Sequence, residues 1–258
     1  MTSGALRASL IDADDGLARG REVGGVPEDI TLARIRAFPV FAGLPDGDLE
    51  KLSRLLTYRR YSKGAHIVSQ DQPGTAMYLL TSGRVKVAIA SSQGKELVLD
   101  YLEAPAHFGE MSIVDAEPRS ADVVAMTDVE VLMLDGRELA AAVQIQPKLA
   151  VSLIGTLSRR VRGLIGRLED IVFHDAYHRV MRVLLNIATA SYESFGVPVI
   201  EGFTHAEIAS LAGTSRETAS RAISMLAREG LVRTKGRKIV VDVIGLKERL
   251  DSEPDELD

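Results

Sequence analysis

The sequence predicts an α+β protein in three consecutive parts: a compact antiparallel β barrel or roll, one long helix, and a winged helix-turn-helix. Three observations predict it. Between Pro39 and about Asp135 the short runs "HIVSQ", "AMYLLTSG", "RVKVAIA", "KELVLDYL", "ADVVAM" and "VEVLML" are separated by Gly, Asp, Ser and Pro turns. Many short strands at this spacing close into a compact antiparallel barrel or roll. From Pro147 to about Val172 no internal proline occurs, and Ile154, Leu157, Val161, Leu164, Leu168 and Ile171 recur at steps of three and four, which is a heptad seam. From Thr204 onward, two helical segments with cap signals precede a basic hairpin.

A length of 258 residues with 46% hydrophobic and 26% charged side chains suffices for about two domains with real cores. The absence of cysteine excludes disulfides, thiolate zinc sites and cysteine-ligated iron-sulfur clusters. No apolar run approaches the roughly 18 to 20 residues that cross a bilayer, and the N-terminus lacks a signal-peptide layout. A cytoplasmic protein without membrane contact is expected. The net charge of -5 does not suggest nucleic acid, but a whole-chain sum hides local patches. Thr204 to Arg249 holds nine Lys/Arg against five Asp/Glu, while the last residues, "DSEPDELD", are strongly acidic.

Residues 1–30 mix Gly, Asp and isolated apolar residues without periodicity and read as a flexible extension. Residues 31–146 form the roll, introduced by a helix carrying "LEKLSRLL". Residues 147–174 form the long helix and a hinge at Phe173 to Asp175. Arg159, Arg160, Arg162, Arg167, Glu169 and Asp170 occupy its remaining faces, leaving an apolar stripe narrow enough for a dimer seam. Residues 175–250 begin with the helix "RVMRVLLNIATA" and continue into the helix-turn-helix, and 251–258 are an acidic tail.

In "THAEIASLAGTSRETASRAISMLAREGLV", Thr204 and Glu207 can form a capping box, and Thr214 or Ser215 can cap the second helix. Ile208, Ala209 and Leu211 face inward, as do Ala222, Ile223, Leu226 and Leu231. Arg216, Glu217, Ser220 and Arg221 then lie exposed near the start of the second helix, where side chains meet base edges in a major groove. An arginine fork matches guanine O6 and N7, and a carboxylate accepts from cytosine N4. The hairpin "VRTKGRKIVVDV", turning between Lys235 and Lys238, suits phosphate contacts. Thr204, His205 and Ser215 complete the expected DNA-facing set.

The stretches "MYLLTSGRVKV", "GKELVLDYL", "FGEMSIV", "PRSA", "IVFHD" and "TSRETASRAISML", in that order over roughly residues 35 to 245, resemble the CRP/FNR family of bacterial transcription regulators. The resemblance implies a cyclic-nucleotide-binding jelly roll, a dimerisation helix and a C-terminal winged helix that binds double-stranded DNA, with RNA polymerase as a partner. Arg216, Glu217 and Arg221 match the family's base-reading triplet, implying a TGTGA-like inverted repeat read by a homodimer.

By the same resemblance Gly109, Glu110, Met111, Ser112, Arg119 and Ser120 match the cassette that holds a cyclic nucleotide. Glu110 takes the ribose 2'-hydroxyl, and Arg119 with the Ser120 amide takes the cyclic phosphate. Val87 and Leu99 match apolar pocket walls. Where cyclic-AMP-binding members place hydroxyl side chains on the dimer helix to hold adenine, this chain has Leu164 and Ile165, which cannot hydrogen-bond a base. Pro105-Ala106 replaces the usual Gly-Asp, and Asp100 replaces a small polar residue. Cyclic AMP is the first expected effector; cyclic GMP, cyclic di-GMP or no nucleotide remain open. The alternative is a Glu110–Arg119 salt bridge closing an empty pocket.

Other chemistry is thinner. His174 and His178 have i,i+4 spacing without a third ligand for a metal. His66 and His107 could serve haem, but isolated histidines beside strands are more often ordinary polar residues. No nucleophile triad, Walker loop or paired-carboxylate geometry stands out, so no enzyme and no metal are expected. The rival reading is a nucleotide-binding module that regulates a partner protein.

Overall fold

The computed structural model describes residues 21–22, 30–90, 96–195, 198–236 and 238–252. Apart from Arg21, Glu22 and Ile30, the last buried in the helix-side core, the expected flexible extension lies outside the described residues, as does the tail from residue 253. The chain divides into two compact units after Arg160, inside the long helix.

In the first unit, helices α1 (Leu32–Arg36) and α2 (Asp46–Ser53) precede the roll. Thr31 caps α1 by accepting from the Arg34 amide. One sheet contains β1 (Arg21–Glu22), β2 (Thr57–Tyr61), β4 (Ala76–Ser82), β7 (Ala106–Phe108) and β9 (Val129–Asp135), in the order β1-β2-β9-β4-β7. The other contains β3 (His66–Val68), β5 (Arg84–Ala90), β6 (Glu96–Glu103) and β8 (Asp122–Ala125), in the order β3-β8-β5-β6. All pairs are antiparallel.

The period-two geometry of a strand divides β4 and β9 between two cores. Met77, Leu79, Leu132 and Leu134 pack on the helices with Phe38, Phe41 and Leu49. Tyr78, Leu80, Val131 and Met133 fill the roll with Ile67, Val85 and Phe108. Burial on both faces explains why "AMYLL" and "VLML" read as continuous apolar runs, whereas β8, buried on alternate residues, keeps its alternation.

Helix α3 (Met111–Val114) is a single turn between β7 and β8. Helix α4 (Gly136–Ile145) follows β9, and α5 (Pro147–Phe173) is the long helix. Leu149 and Leu153 of α5 are buried in the helix-side core. Among the seam residues, Ile154, Val161, Leu164, Leu168 and Ile171 are all at least 47% exposed, and Leu157 is half-buried.

The second unit holds α6 (Ala176–Phe195), α7 (His205–Leu211), α8 (Arg216–Arg228), α9 (Val243–Ser252), and a three-stranded sheet β10-β12-β11. Its strands are β10 (Val199–Glu201), β11 (Val232–Lys235) and β12 (Lys238–Val241). Its core joins Val180, Met181 and Leu184 of α6 to Ile208, Ile223, Leu226, Val232, Ile239 and Leu246. The expected hairpin is therefore two strands of a three-stranded sheet, with β12 central and β11 at one edge, and α9 follows it. Leu211 and Leu231, expected to face inward, are only partly buried. No single helix among the described residues is long and apolar enough to cross a membrane.

Candidate functional site

The cassette turn in the roll is built around Arg119. Its amide donates to the Gln72 carbonyl at 2.8 Å, and its carbonyl accepts from the Asp71 amide at 2.9 Å, so the backbone is pinned on both sides. Arg119 is 2% exposed, and its guanidinium donates from Nη1 to the Gly109 carbonyl at 2.7 Å and from Nη2 to the Ala76 carbonyl at 2.9 Å. Tyr78 lies beneath it, ring centroid 5.7 Å from Cζ. Two glycines make room. Gly109 has φ +80°, and a Cβ there would stand 2.8 Å from Arg119 Nη1. A Cβ at Gly74 would stand 2.5 Å from both Cζ and Nε. Glycine alone satisfies the left-handed backbone at Gly109 without penalty.

Glu110 precedes α3 and is 1% exposed. Its Oε1 pairs with Nη1 of Arg160, whose Nη2 donates to the His107 carbonyl. Sequence reasoning placed Arg160 on a solvated helix face; the structure puts its guanidinium on the one buried acid of the cassette. A buried carboxylate requires such a partner, because desolvating it alone costs several kcal/mol. Glu110 Oε2 is buried and has no hydrogen-bond partner among the described residues.

The other cassette residues divide by exposure. Ser112 is buried, Met111 and Ser120 are exposed, and Val87 and Leu99 on β5 and β6 are half-buried. Leu164 and Ile165 are 47% and 50% exposed on α5. Asp100, in the middle of β6, accepts from the Tyr101 amide at 2.9 Å.

His107, on β7, is 3% exposed, and its Nε2 has no partner among the described residues. Burial first, then the charges of Arg160 and Arg159, lower its pKa from 6.5 to about 4. The ring is neutral in the folded protein, while the unfolded chain takes up a proton as pH falls through 6.5. Stability attributable to His107 is therefore lost between pH 6.5 and 4. Between pH 7 and pH 5 this loss should amount to about 2 kcal/mol. Urea unfolding of the wild type and His107→Leu at both pH values checks it: the variant should show a flatter pH dependence, and equal slopes would refute it.

His66 lies exposed on β3, in the other sheet from His107, so the two histidines share no face for haem. The His174 and His178 rings stack in parallel, centroids 3.9 Å apart, a geometry that aims their nitrogens at no common point. Among the described residues no group of three or more His, Cys, Asp or Glu is placed to hold a metal.

In the second unit, Thr204 and Glu207 form a complete capping box at α7. Ser215, rather than Thr214, caps α8 by accepting from the Thr218 amide. Between them Gly213 turns the chain at φ +60°. Ala219, Ala222, Ile223 and Leu226 are buried, while Arg216, Glu217 and Arg221 are exposed. Ser220 is half-buried, its hydroxyl 2.9 Å from His205 Nδ1. The Glu217 carboxyl is held below its usual range by hydrogen bonding to its own backbone amide, then by the Ser215 hydroxyl, so it remains an acceptor. Lys235 and Lys238 are paired across the β11–β12 turn. Lys238 Nζ meets Glu201 Oε1 at 2.5 Å, both side chains more than half exposed.

Comparison with known proteins agrees with this geometry. The sequence model of the cyclic nucleotide-binding domain matches residues 58–146, and that of the Crp-like helix-turn-helix domain matches 178–249. The cyclic AMP receptor protein of Thermus thermophilus is 35% identical over 199 residues, covering 77% of this chain and 90% of that protein. The CRP-like cAMP-activated global transcriptional regulator of Mycobacterium tuberculosis is 29% identical over 204 residues, covering 78% of this chain and 91% of that protein. A solved CRP/FNR-family transcriptional regulator from Thermus thermophilus superposes with a TM-score of 0.61 at 27% identity, covering 76% of this chain and 100% of that one. With both domain types in this order and a relative of that identity along most of its length, the chain belongs to the CRP/FNR family of transcription regulators.

Proposed function

We propose that the protein acts as a homodimer that reads an inverted repeat in double-stranded DNA under the control of a cyclic nucleotide. The observation that carries this reading is the division of α8: Arg216, Glu217 and Arg221 stand exposed at its N-terminal end while its opposite face is buried. Those side chains have the donor and acceptor types that discriminate G·C pairs in the major groove. The wing lysines follow as phosphate contacts, Lys238 exchanging the exposed Glu201 carboxylate for phosphate, a weak pair to break. Two copies joined along α5 would present two such helices to neighbouring half-sites about one helical turn apart.

The cassette supports the effector half of the reading. Glu110 Oε2, buried and without a partner among the described residues, is suited to accept from a sugar hydroxyl. Arg119, held by the Gly109 and Ala76 carbonyls, presents a planar guanidinium of the kind that grips a phosphate. Because Glu110 also holds Arg160 on α5, a hydroxyl arriving at Oε2 acts on the carboxylate that grips the helix. That supplies the differential contact which ligand control demands. The cassette can hold the ribose hydroxyl and the cyclic phosphate, which cyclic AMP and cyclic GMP share. Two relatives bear cyclic AMP in their names, which makes cyclic AMP the first effector to test, ahead of cyclic GMP and cyclic di-GMP.

Selection from randomised duplexes, with and without each nucleotide, tests the whole. The wild type should enrich inverted TGTGA-like half-sites, more tightly with its effector. Arg216→Ala should lose about 1–3 kcal/mol per half-site and relax one base position. Failure to enrich any palindrome removes the DNA reading; affinity independent of every nucleotide removes ligand control.

A further inference from the structure

We infer that Arg179 is a positioning residue which locks the recognition helix-turn-helix to the end of the long helix, so that the hinge between α5 and α6 is no free joint. The inference deepens the regulator reading above and rests on it. Arg179 lies in the first turn of α6, and its guanidinium reaches two separate backbone sites. Nη1 donates to the His174 carbonyl at 2.7 Å. Nε donates to the Ala212 carbonyl at 2.8 Å and Nη2 to the Gly213 carbonyl at 3.3 Å.

Both sites follow the C-terminal ends of helices. His174 follows α5 directly, and Ala212 is the C-cap of α7. The last carbonyls of a helix have no acceptor role inside it and carry the negative end of its dipole. Two such ends brought together repel. One planar cation with donors in a fixed fork satisfies both; a lysine ammonium is a compact point charge without that fork.

Neighbouring contacts make the junction a block. A Cβ at Gly213 would be in ordinary contact with Ile171, 3.7 Å from its Cγ1 and Cδ1, so the turn lies against the last turn of α5. Arg182 pairs with Asp170 at 3.0 Å across the hinge. The Asp175 carboxylate accepts from the His178 amide at 2.8 Å. A rotation of the end of α5 must then carry the turn before α8 with it. In a dimer joined along α5, this sets the separation of the two reading helices.

The test uses full-length wild type, Arg179→Gln and Arg179→Lys. Amide hydrogen exchange of the free proteins reads the lock directly: residues 173–176 and 212–215 should exchange about tenfold faster in the Gln variant, with the roll unchanged. Lysine should not restore protection. Affinity is then measured for inverted half-sites at the preferred spacing and at spacings changed by about two base pairs. The wild type should discriminate by about tenfold or more and Arg179→Gln by less than about threefold, with single-half-site affinity equal in both. Unchanged exchange in both segments overturns the lock, as does full protection in Arg179→Lys. Faster exchange with an intact spacing preference overturns the positioning role. A wild type that binds no duplex defeats the regulator reading instead, while exchange still decides the lock. Should Arg179→Gln exchange rapidly throughout the second unit, it has unfolded, and Arg179→Lys decides.

Discussion

Adding one methyl group at Gly74 should weaken cyclic-nucleotide binding by about 100-fold or more while leaving the protein folded. The new Cβ would stand 2.5 Å from Arg119 Cζ and Nε and 2.8 Å from Cδ, well inside van der Waals contact. Gly74 has no left-handed φ, so alanine is acceptable to the backbone. What gives way is the far end of a flexible side chain, which is why the fold survives. The guanidinium, however, must leave the Gly109 and Ala76 carbonyls that aim it. Hydrogen bonds to charged groups contribute about 1.5–3 kcal/mol each, and a phosphate grip depends on the same placement. Titration calorimetry with cyclic AMP and the other nucleotides measures the loss. Gly43→Ala is the control, since a Cβ there meets nothing within 4 Å. Equal affinities for the wild type and Gly74→Ala would show that Arg119 does not hold the ligand.

If the protein is the homodimer proposed above, Leu168→Glu should convert it to a monomer and lower affinity for an inverted repeat by about 10²–10⁴, because the second half-site then loses its effective concentration. Leu168 is 62% exposed in the single chain, so the substitution removes no intramolecular core contact and should change the stability of one chain by about 0.5 kcal/mol or less. In a dimer the same position would bury two like charges against each other, at several kcal/mol per desolvated ion. Sedimentation of wild type and variant, followed by titration with whole and half sites, separates the steps. Half-site affinity should be unchanged. A dimeric variant that sediments like a dimeric wild type would place the contact elsewhere, and a wild type that sediments as single chains would remove the dimer reading.

Local signals made most elements legible. The "AMYLLTSG" and "RVKVAIA" runs became β4 and β5, and "VEVLML" became β9. The Thr204–Glu207 spacing became a complete capping box. Elements without such signals were missed. β7 and β10 are three residues each, too short for a period, and in β2, "TYRRY", the buried tyrosines flank two arginines that mask the apolar signal. These strands are defined by the neighbours that complete their hydrogen bonds.

The candidate sites divide in the same way. The polar face of α8 was readable because its residues follow one helical period from a capped start. The cassette was readable only as a motif, and its internal arrangement was not. Glu110 and Arg160 are 50 residues apart and Arg119 and Ala76 are 43 apart, and no periodicity links such pairs. Nor does sequence show that Gly74 lies against Arg119, or that Arg179 bridges the carbonyls of His174, Ala212 and Gly213.

By itself, then, the sequence determined the order of roll, long helix and helix-turn-helix, the apolar stripe of α5, and the chemical character of α8. Each depends on spacing along a few turns or strand residues, where the backbone itself brings side chains together. Only the tertiary structure decided which charge answers which. Those pairings form when packing removes water from groups distant in the chain, and a buried charge left there unmatched is too costly to persist.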